Sequence, residues 1–362
     1  MLKILHIAVE NFAGVPYSYV QMHRAMGDKS LLVTFYKTAQ QFPEELSLDF
    51  KIQRNFCAKF WRQIKVAQNI KSIDKKEKTY PFYFEPKNFL ESLFFDLRES
   101  FRRKKILEFI EKHQLYEYDI IHYDGGMDFF RDSHIAKQWK IDGKKIVCAY
   151  YGSDLRSRGL MRELDRISDL NITSEYDHLQ MHPDIHYIFY PYNADELPPR
   201  IPNESSKIRI IHSPTNRIYK GTNLILKVIK QLKRERNFEF ILLEGVPRSK
   251  VLKIKATCDI CIDQVGGKMG GTGYGKSGLE SLALGIPTIT NMTEEYQKFL
   301  PENSFVVANN EKELKEKLIE LIDSRNLREE IGKKSKEWVK KYHSYESVNA
   351  QLIKLYKEHG IL

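Results

Sequence analysis

The chain has 362 residues, of which 42% are hydrophobic and 29% are charged, and its formal net charge is +10. This composition is ordinary for a globular protein, and the four scattered cysteines exclude a disulfide framework. The length is sufficient for two domains, no apolar run reaches the ~20 residues of a membrane span, and the N-terminal segment lacks a signal-peptide pattern, so we expect a cytoplasmic protein.

The first half of the sequence alternates between strand and helix patterns. Short apolar runs predict strands, and apolar residues at a 3.6-residue spacing predict helices. We predict, in chain order, a strand at Leu2–Val9, a helix at Tyr17–Met26, a strand at Ser30–Phe35, a helix at Arg103–His113, a strand at Asp119–His122, a helix at Phe129–Trp139 and strands at Lys145–Tyr150, Asn171–Thr173 and Ile185–Tyr190.

The segment Lys51–Lys105 interrupts this alternation and carries most of the net charge. It contains 15 Lys/Arg and 6 Asp/Glu and is rich in aromatic residues. Phe56, Phe60 and Ile64 share one face of a predicted helix, with Trp61 beside them. Such a helix either lies on an anionic membrane surface or covers an ordinary core with its polar face in solvent, and both remain open. No nucleic-acid recognition motif accompanies the segment, so we expect no nucleic-acid partner.

The second half alternates more regularly. We predict strands at Ile208–Ile211, Phe238–Leu243, Asp259–Val265, Pro287–Thr290 and Phe305–Ala308, and helices at Thr222–Glu235, Arg248–Ala256, Lys276–Leu284, Glu294–Leu300 and Glu311–Ile322.

These alternating patterns predict an α/β fold of two Rossmann-like, doubly wound parallel-sheet domains that face each other across a cleft. The boundary is expected in Pro191–Ser206, where Pro, Asn and Ser cluster. We expect an N-terminal domain of residues 1–192, with the basic aromatic insertion at about 51–105, and a C-terminal domain of residues 193–342. Residues 343–362 are expected to form a helix that packs back on the N-terminal domain.

A glycine-rich stretch within Asp263–Thr290 matches two kinds of phosphate-binding loop. Gly270, Gly275, Lys276 and Ser277 match the P-loop pattern G-x-x-x-x-G-K-[ST]. In either kind, a glycine turn leads into a helix whose free N–H groups and positive dipole end hold a phosphate. A P-loop also needs a buried strand directly before it and a later strand that ends in Asp for magnesium. The sequence shows neither, which disfavours a P-loop NTPase and leaves it as an alternative.

Three landmarks carry a different resemblance. They are HSPTNRIYKGTNLILKVI at His212–Ile229, GYGKS at Gly273–Ser277, and GLESLALGIPTIT, which contains Glu280. Together they resemble the GT-B glycosyltransferases, and in particular the retaining "glycosyl transferases group 1", or family 4-like, enzymes. The resemblance spans most of the chain and is most specific over residues 208–310.

The resemblance implies roles for the residues of these landmarks. Arg217 and Lys220 would hold the donor diphosphate, although a pair of surface cations is the alternative. Glu280 would bind the two ribose hydroxyls, although a first-turn Glu stabilised by the helix dipole is the alternative. The main chain of the glycine loop would contact the sugar and the diphosphate. The implied donor-binding set is Gly14, Asn216, Thr272, Gly273, Tyr274, Gly275, Lys276, Ser277 and Glu280.

One position departs from the family pattern. The family usually has a Glu eight positions before the ribose-binding Glu, and Thr272 stands there in this chain. Asp263 and Gln264, at the end of the preceding strand, could supply the missing polar contact. The departure also motivates a second alternative, a non-catalytic GT-B domain that binds a sugar nucleotide.

The N-terminal half resembles the family less closely. Gly14 lies in the first strand-to-helix turn, and His122 and Asp124 lie near the end of a strand, where many relatives place a His that contacts the transferred sugar. We therefore count His122 and Asp124 with Arg217 and Lys220 as candidate catalytic residues. Tyr151 and Asp154 belong to a loop similar to the family's HGSD loop, where Asp154 would bind the acceptor or cap a helix.

The resemblance implies transfer of a sugar from a nucleoside diphosphate, UDP or GDP, to a glycan or a polyprenyl- or lipid-linked acceptor in polysaccharide or lipopolysaccharide synthesis. We expect a metal-independent hexosyltransferase without a cofactor, bound peripherally to an anionic membrane through Lys51–Lys105. The sequence contains no Asp-x-Asp motif. Cys258 and Cys261 lack the further ligands of a zinc site, so we expect them to be buried apolar residues.

Overall fold

A computed structural model describes residues 1–38, 42–50, 80–86, 88–203, 205, 207–266 and 273–362. The described residues divide into two compact units. The N-terminal unit comprises Met1–Pro191 together with Val348–Leu362, and the C-terminal unit comprises Tyr192–Ser347. The amphipathic helix predicted around Phe56–Ile64, and both Gly270 and Thr272, lie outside the described residues.

The N-terminal unit is built on a seven-stranded parallel sheet with the order β3-β2-β1-β4-β5-β6-β7. The four central strands are almost completely buried, as expected for a parallel sheet covered on both faces. The strands are β1 (Lys3–Ala8), β2 (Lys29–Thr34), β3 (Leu46–Ser47), β4 (Ile120–Asp124), β5 (Lys145–Tyr150), β6 (Leu170–Thr173) and β7 (His186–Tyr187).

α-Helices lie between most of the neighbouring strands in the chain order. Ile106 and Ile110 of the second helix and Trp139 of the third join one hydrophobic core with the strands. The described α-helices of this half are α1 (Val15–Ala25), α2 (Phe89–Lys112), α3 (His134–Ile141) and α4 (Arg162–Ile167).

The C-terminal unit is built on a five-stranded parallel sheet with the order β12-β11-β10-β8-β9. The sheet brings the ends of β8 and β10 next to each other. The strands are β8 (Ile208–His212), β9 (Phe238–Leu242), β10 (Ile260–Gln264), β11 (Thr288–Thr290) and β12 (Val306–Val307). The helices are α5 (Arg217–Lys220), α6 (Thr222–Leu232), α7 (Arg248–Lys255), α8 (Lys276–Ala283), α9 (Glu294–Phe299), α10 (Glu311–Asp323), α11 (Arg325–His343) and α12 (Tyr345–Glu358), the last of which runs into the N-terminal unit.

The prediction of two α/β units with parallel sheets is confirmed, and most predicted elements agree to within one or two residues. Two elements end three residues earlier than predicted, α6 at Leu232 and β7 at Tyr187, and the starts of two helices differ more. α2 begins at Phe89, fourteen positions before the predicted start, because the side chain of Asn88 caps it by accepting from the N–H of Glu91 at 2.9 Å. α3 begins at His134, five positions later than predicted.

Two further expectations can be compared with the structure. Cys258 and Cys261 are buried free thiols, as predicted. No helix among the described residues is both long enough and apolar enough to cross a bilayer.

Candidate functional site

The first landmark lies on a short helix that follows β8. Asn216 caps α5, because its side-chain oxygen accepts from two backbone N–H groups of the next turn at 2.9 and 3.2 Å. Arg217 is the first residue of α5 and Lys220 is the last. Gly221 ends the helix with a φ of 63°, a conformation that glycine adopts without strain.

The Lys220 ammonium lies at the carboxyl end of β10. Its Nζ donates to Asp263 Oδ1 at 2.8 Å and to Gln264 Oε1 at 3.1 Å. The Asp263 side chain is 1% exposed, whereas the Lys220 side chain is 15% exposed. An ammonium has three hydrogens to donate. Two of them are engaged by these partners in the part of the chain that the structure describes, so the third can be donated to a ligand.

Helix α8 begins beside this ammonium. Gly275 is its N-cap residue, and the Gly275 N–H donates to Asp263 Oδ2 at 3.3 Å. A Cβ atom at Gly275 would lie 3.5 Å from Lys220 Nζ, so the cation and the helix start are neighbours. No described side chain caps α8. The ammonium and the helix N-terminus both favour an anion in the space next to them.

The loop before α8 is held by close packing. A Cβ atom at Gly273 would lie 1.9 Å from Tyr296 Cε1, so this position requires glycine. Gln264 Nε2 donates to the carbonyl oxygen of Gly273. Tyr274 is 4% exposed, and its ring stacks on Phe305 with centroids 4.6 Å apart. The Tyr274 ring therefore packs inside the unit, and the main chain is the part of this loop that suits ligand contact.

Glu280, the third landmark, faces two cations. Its Oε1 lies 2.7 Å from Arg248 Nε, and its Oε2 lies 3.5 Å from Lys255 Nζ. Burial alone would raise the pKa of Glu280, but Lys255 and Arg248 outweigh it and lower that pKa. Glu280 is the fifth residue of α8 and lies past its first turn, so the helix dipole does not account for its position.

Lys255 links Glu280 to the start of α8. It is fully buried, and its Nζ donates to the Ser277 carbonyl oxygen at 2.8 Å and to Ser277 Oγ at 3.1 Å. The neighbouring Lys276 is half-buried. Burial and the nearby Arg248 lower the pKa of Lys276 to about 8, so its ammonium is still mostly charged at pH 7. Two lysines and an arginine thus surround the first turns of α8.

Arg217 is held by an acidic partner. Its Nε lies 2.7 Å from Glu244 Oε1 and its Nη2 lies 2.5 Å from Glu244 Oε2, a bidentate pair. The Arg217 side chain is 50% exposed. Exposed pairs contribute little to stability, so exchange of Glu244 for a phosphate would cost little.

In the N-terminal unit, Gly14 begins the first helix after β1. It is the N-cap of α1 and has a φ of 70°, which disfavours residues with a Cβ atom. Its carbonyl oxygen accepts from Ser18 Oγ at 2.9 Å. The described residues provide no side-chain cap for α1 at this position. Gly14 therefore lies at the carboxyl end of the sheet, the edge at which α/β folds bind ligands.

His122 and Asp124 belong to a buried polar network. Asp124, the last residue of β4, accepts from the Tyr151 hydroxyl at 2.5 Å, and its Oδ2 lies 2.9 Å from His6 Nδ1. His122 is fully buried, and its Nε2 contacts the Tyr356 hydroxyl. The structure thus brings Tyr151 and Asp124 together but encloses His122 in the core. Direct contact between His122 and a sugar would require this core to open.

Asp154 organises its own loop. Its carboxylate accepts from the backbone N–H groups of Tyr151, Gly152 and Leu155, each at 2.8 Å. Both oxygens are engaged in these bonds. This arrangement favours the structural alternative for Asp154 over direct binding of an acceptor hydroxyl.

The structure joins two of the three landmarks directly. Lys220 and the loop Gly273–Gly275 meet through Asp263 and Gln264. Sequence reasoning missed the cations that face Glu280. Arg248 and Lys255 are seven residues apart, so both lie on one face of α7. This spacing was the only sequence pattern that could have indicated that the two cations act together.

One family model matches the C-terminal part of the chain. It is the model described as glycosyl transferase-like, and it covers residues 275–354, from the start of α8 through Glu280 to α12. No curated protein sequence matches this chain.

Solved structures of GT-B glycosyltransferases match nearly the whole chain. Alr3699/HepE from Anabaena, in complex with UDP, is 11% identical with a TM-score of 0.58 over 99% of this chain and 100% of that one. The catalytic domain of starch synthase IV from Arabidopsis thaliana, bound to ADP and acarbose, is 13% identical with a TM-score of 0.63 over 99% of both chains. A TarM mutant from S. aureus, in complex with fondaparinux, α-GlcNAc-glycerol and UDP, is 11% identical with a TM-score of 0.57 over 98% of this chain and 100% of that one. Structural similarity at identities this low establishes the fold alone. The predicted resemblance and the GT-B architecture are confirmed.

Proposed function

We propose, from the GT-B fold of this chain and the glycosyl transferase-like match at residues 275–354, that it is a retaining glycosyltransferase which uses a nucleoside-diphosphate sugar. The observation that carries the proposal is the position of the Lys220 ammonium beside the start of α8, for which the described residues provide no side-chain cap. A cation and a helix N-terminus side by side suit the diphosphate group, which gains negative charge as it leaves the sugar.

In this proposal the donor is held by the C-terminal unit. Lys220 and the first-turn N–H groups of α8 bind the diphosphate, and Arg217 joins them after exchanging its pair with Glu244. Glu280 accepts from the ribose hydroxyls, and the main chain at Gly273 contacts the sugar. These cations take the place of a metal ion, so the transfer is metal-independent. The acceptor attacks on the face that the diphosphate leaves, and the leaving phosphate takes the acceptor proton, so no carboxylate nucleophile is needed.

On the acceptor side we propose an anionic group as the binding partner. Arg98, Arg102 and Arg131 line a pocket of about 150 Å³ between α2 and the sheet of the N-terminal unit. The Nε of Arg98 is buried without a hydrogen-bond partner among the described residues. Burial and the two neighbouring arginines lower the pKa of Arg98 to about 10. Glu99 also lines this pocket, 2.6 Å from Arg131 Nη1 and 4.0 Å from Arg98 Nη2, and its single charge offsets only part of the charge of the three guanidinium groups. A guanidinium nitrogen without a described partner in this excess of positive charge suits a phosphate, such as that of a polyprenyl-phosphate-linked acceptor.

Helix α2 supports a membrane-bound acceptor. Six large apolar residues are exposed on one face of its first half, at a spacing of three or four residues: Phe89, Leu90, Leu93, Phe94, Leu97 and Phe101. The basic residues Arg102–Lys105 follow them directly. An exposed apolar face next to a basic cluster is typical of a helix that lies in a membrane interface. We therefore propose peripheral binding to an anionic membrane.

The membrane contact is testable with three substitutions on that face. Changing Phe89, Phe94 and Phe101 together to Ser should reduce sedimentation with anionic liposomes at least tenfold, because their apolar area no longer enters the interface. The melting temperature should stay within about 2 °C of wild type, since all three side chains are exposed. The matched control is Ile141→Ser, which removes an equally exposed apolar residue from α3. Unchanged sedimentation of the triple variant would argue against this contact.

The donor is testable by thermal stabilisation with UDP-, GDP-, ADP-, CMP- and dTDP-sugars. One class at saturation should raise the melting temperature by on the order of 5 °C without magnesium, since a ligand that binds only the folded state stabilises it. A shift with ATP–magnesium alone would favour the P-loop NTPase, although β11 and β12, the described strands after α8, contain no acidic residue to hold magnesium. A shift with a sugar nucleotide but no turnover would favour the non-catalytic domain.

A further inference from the structure

Three histidines meet inside the N-terminal unit. His6 on β1 and His122 on β4 are register partners on adjacent parallel strands, so their side chains project from the same face of the sheet. Their ring centroids are 4.5 Å apart. His23 on α1 lies against both, with centroid distances of 5.4 Å to His6 and 6.0 Å to His122. All three residues are at most 1% exposed.

Each of these rings has a buried nitrogen without a hydrogen-bond partner among the described residues. These atoms are Nε2 of His6, Nδ1 of His122 and both ring nitrogens of His23. A buried polar atom without a partner destabilises the folded state, and native proteins contain few such atoms. Four of them in one cluster indicate that something else satisfies them.

The remaining nitrogens of His6 and His122 are held from outside the cluster. His6 Nδ1 lies 2.9 Å from Asp124 Oδ2, and His122 Nε2 contacts the Tyr356 hydroxyl. Metal-binding histidines have this arrangement, in which the second nitrogen donates to a carboxylate or another oxygen that fixes the ring and its tautomer. With Nε2–H of His122 donating to Tyr356, its Nδ1 carries the free lone pair. Asp124 is fixed in turn by the Tyr151 hydroxyl.

We propose that His6, His23 and His122 bind a divalent transition-metal ion, with Zn²⁺ as the best fit. Imidazole nitrogens suit this ion. The ligand atoms lie within 4.8 Å of one another, and tetrahedral bonds of about 2.1 Å need nitrogen separations of about 3.4 Å, so small ring rotations close the site. The fourth position takes a water molecule or another small ligand. The ion would connect α1 to β1 and β4 and would take no part in the transfer step. The sequence alone predicts no metal, so this site is a departure from that expectation.

The protonation state of the rings agrees with this site. Burial, together with the neighbouring His6, lowers the pKa of both His23 and His122 well below the ordinary value of 6.5. Both rings are therefore neutral at pH 7, and neutral imidazole is the form that binds metal.

The full chain without a polyhistidine tag should bind about one Zn²⁺ or Co²⁺ per chain after dialysis against excess metal. Elemental analysis gives the stoichiometry, and the visible absorption of Co²⁺ reports nitrogen ligands in a low-coordinate site. Removing the metal with a strong chelator should lower the melting temperature, because a metal that binds only the folded state stabilises it. Less than 0.1 equivalent of either metal would overturn the proposal.

His23→Phe distinguishes a metal site from an unoccupied polar cluster by the sign of its effect. If the cluster binds no metal, the substitution removes a buried ring whose nitrogens have no partner, so the melting temperature stays or rises. If the cluster binds metal, stoichiometry falls at least tenfold and the melting temperature falls to that of the chelated wild type. The matched control is His186→Ala, in a partly exposed pair with His359, which should keep the ion.

Loss of the ion in His186→Ala, but not in His23→Phe, would assign the metal to the surface and overturn the proposal. If His23→Phe fails to fold, the comparison of wild type with His186→Ala decides. One ion per chain in both, with the nitrogen-ligand spectrum of Co²⁺, supports the buried site, and its loss from His186→Ala refutes it.

Discussion

Lys220→Met should lower kcat/KM for sugar transfer by about 100- to 1000-fold, the range observed when a single group that stabilises a developing anion is removed. Lys220 places its ammonium at the start of α8, where we propose that the diphosphate leaves. The Met side chain keeps a similar volume but cannot offset the new negative charge. Initial rates with the donor class found by thermal stabilisation measure the effect.

The same substitution also leaves Asp263 buried without its cation. The loss of activity could then reflect a damaged fold, since an unpaired buried carboxylate is strongly destabilising. Combining Lys220→Met with Asp263→Asn removes both charges together. The double variant should recover most of the lost stability while remaining about 100-fold or more impaired in transfer. Recovery of activity along with stability would mean that Lys220 serves Asp263 and not the diphosphate.

Lys227→Met is the matched control for Lys220→Met. Lys227 lies on the next helix, α6, and its side chain is 62% exposed in a pair with Glu311. Its removal takes the same charge from the same unit but from a lysine that pairs with Glu311 and not with Asp263. Transfer should stay within twofold of wild type. A similar loss in both variants would point to a general effect of net charge.

Glu280→Ala should lower the free energy of unfolding by about 3–5 kcal/mol, which is the usual cost of removing one partner of a buried ion pair. Glu280 is 5% exposed and Lys255 is fully buried. Without the carboxylate, the partners that the Lys255 ammonium keeps in the described part of the chain are the two oxygens of Ser277, and these do not neutralise its charge. Urea unfolding at neutral pH measures the change.

Lys255→Met in the Glu280→Ala background tests the cause of that loss. It removes the Lys255 ammonium that has lost its carboxylate, and it should restore most of the lost stability. If the two substitutions instead lowered the free energy of unfolding additively, Glu280 and Lys255 would not be a coupled pair. Glu311→Ala is the matched control, because it breaks a largely exposed pair with Lys227 and should cost less than about 1 kcal/mol.

The pH dependence of Glu280→Gln follows from the same pair. The pKa of Glu280 is lowered from its ordinary 4.5 in the folded state. The stabilisation is therefore present above pH 4.5 and lost as the pH falls through the lowered pKa. The stability difference between wild type and Glu280→Gln should accordingly narrow below pH 4.5.

The rescued variant also separates two roles of Glu280. In the structure each of its carboxylate oxygens faces a cation, so a loss of donor binding in Glu280→Ala alone could come from a weakened fold. In the variant that also carries Lys255→Met, stability is restored without the carboxylate. Absence of a thermal shift with the donor in that background supports the proposed contact with ribose.

The fold could be predicted well where local patterns suffice. The predicted bounds of the strand at Lys145–Tyr150 agree with the structure at both ends, because a buried parallel strand is a continuous apolar run between polar turns. The start of α2 was missed even though Asn88 and Glu91 carry a helix-start signal. The basic character of Lys51–Lys105 led to its interpretation as one insertion, although its last third is regular helix.

The late start of α3 follows from the Asp128 carboxylate. This carboxylate accepts from the backbone N–H groups of Phe129 and Ala136 and holds the intervening residues as a turn.

The candidate site was predictable only in part, because its contacts join distant positions. Arg217, Lys220 and Glu280 were recognised from motifs, each within a few residues of a glycine. The cations that face Glu280 come from a helix more than twenty positions earlier, and no local pattern reports that a lysine will be buried. The cluster of His6, His23 and His122 depends on β1 lying next to β4, a property of strand order that single-sequence patterns do not contain.

The division of the chain has a consequence for its synthesis. Tyr356, which contacts His122, belongs to a segment of the N-terminal unit that follows the whole C-terminal unit in the chain. At about 5–20 residues per second, a ribosome needs roughly 8–30 s to add Tyr192–Ser347. During that time the nascent N-terminal sheet lacks the helix that carries Tyr356. The buried His122 therefore lacks its contact with the Tyr356 hydroxyl until then, and the N-terminal unit can be completed only after the C-terminal unit has been synthesised.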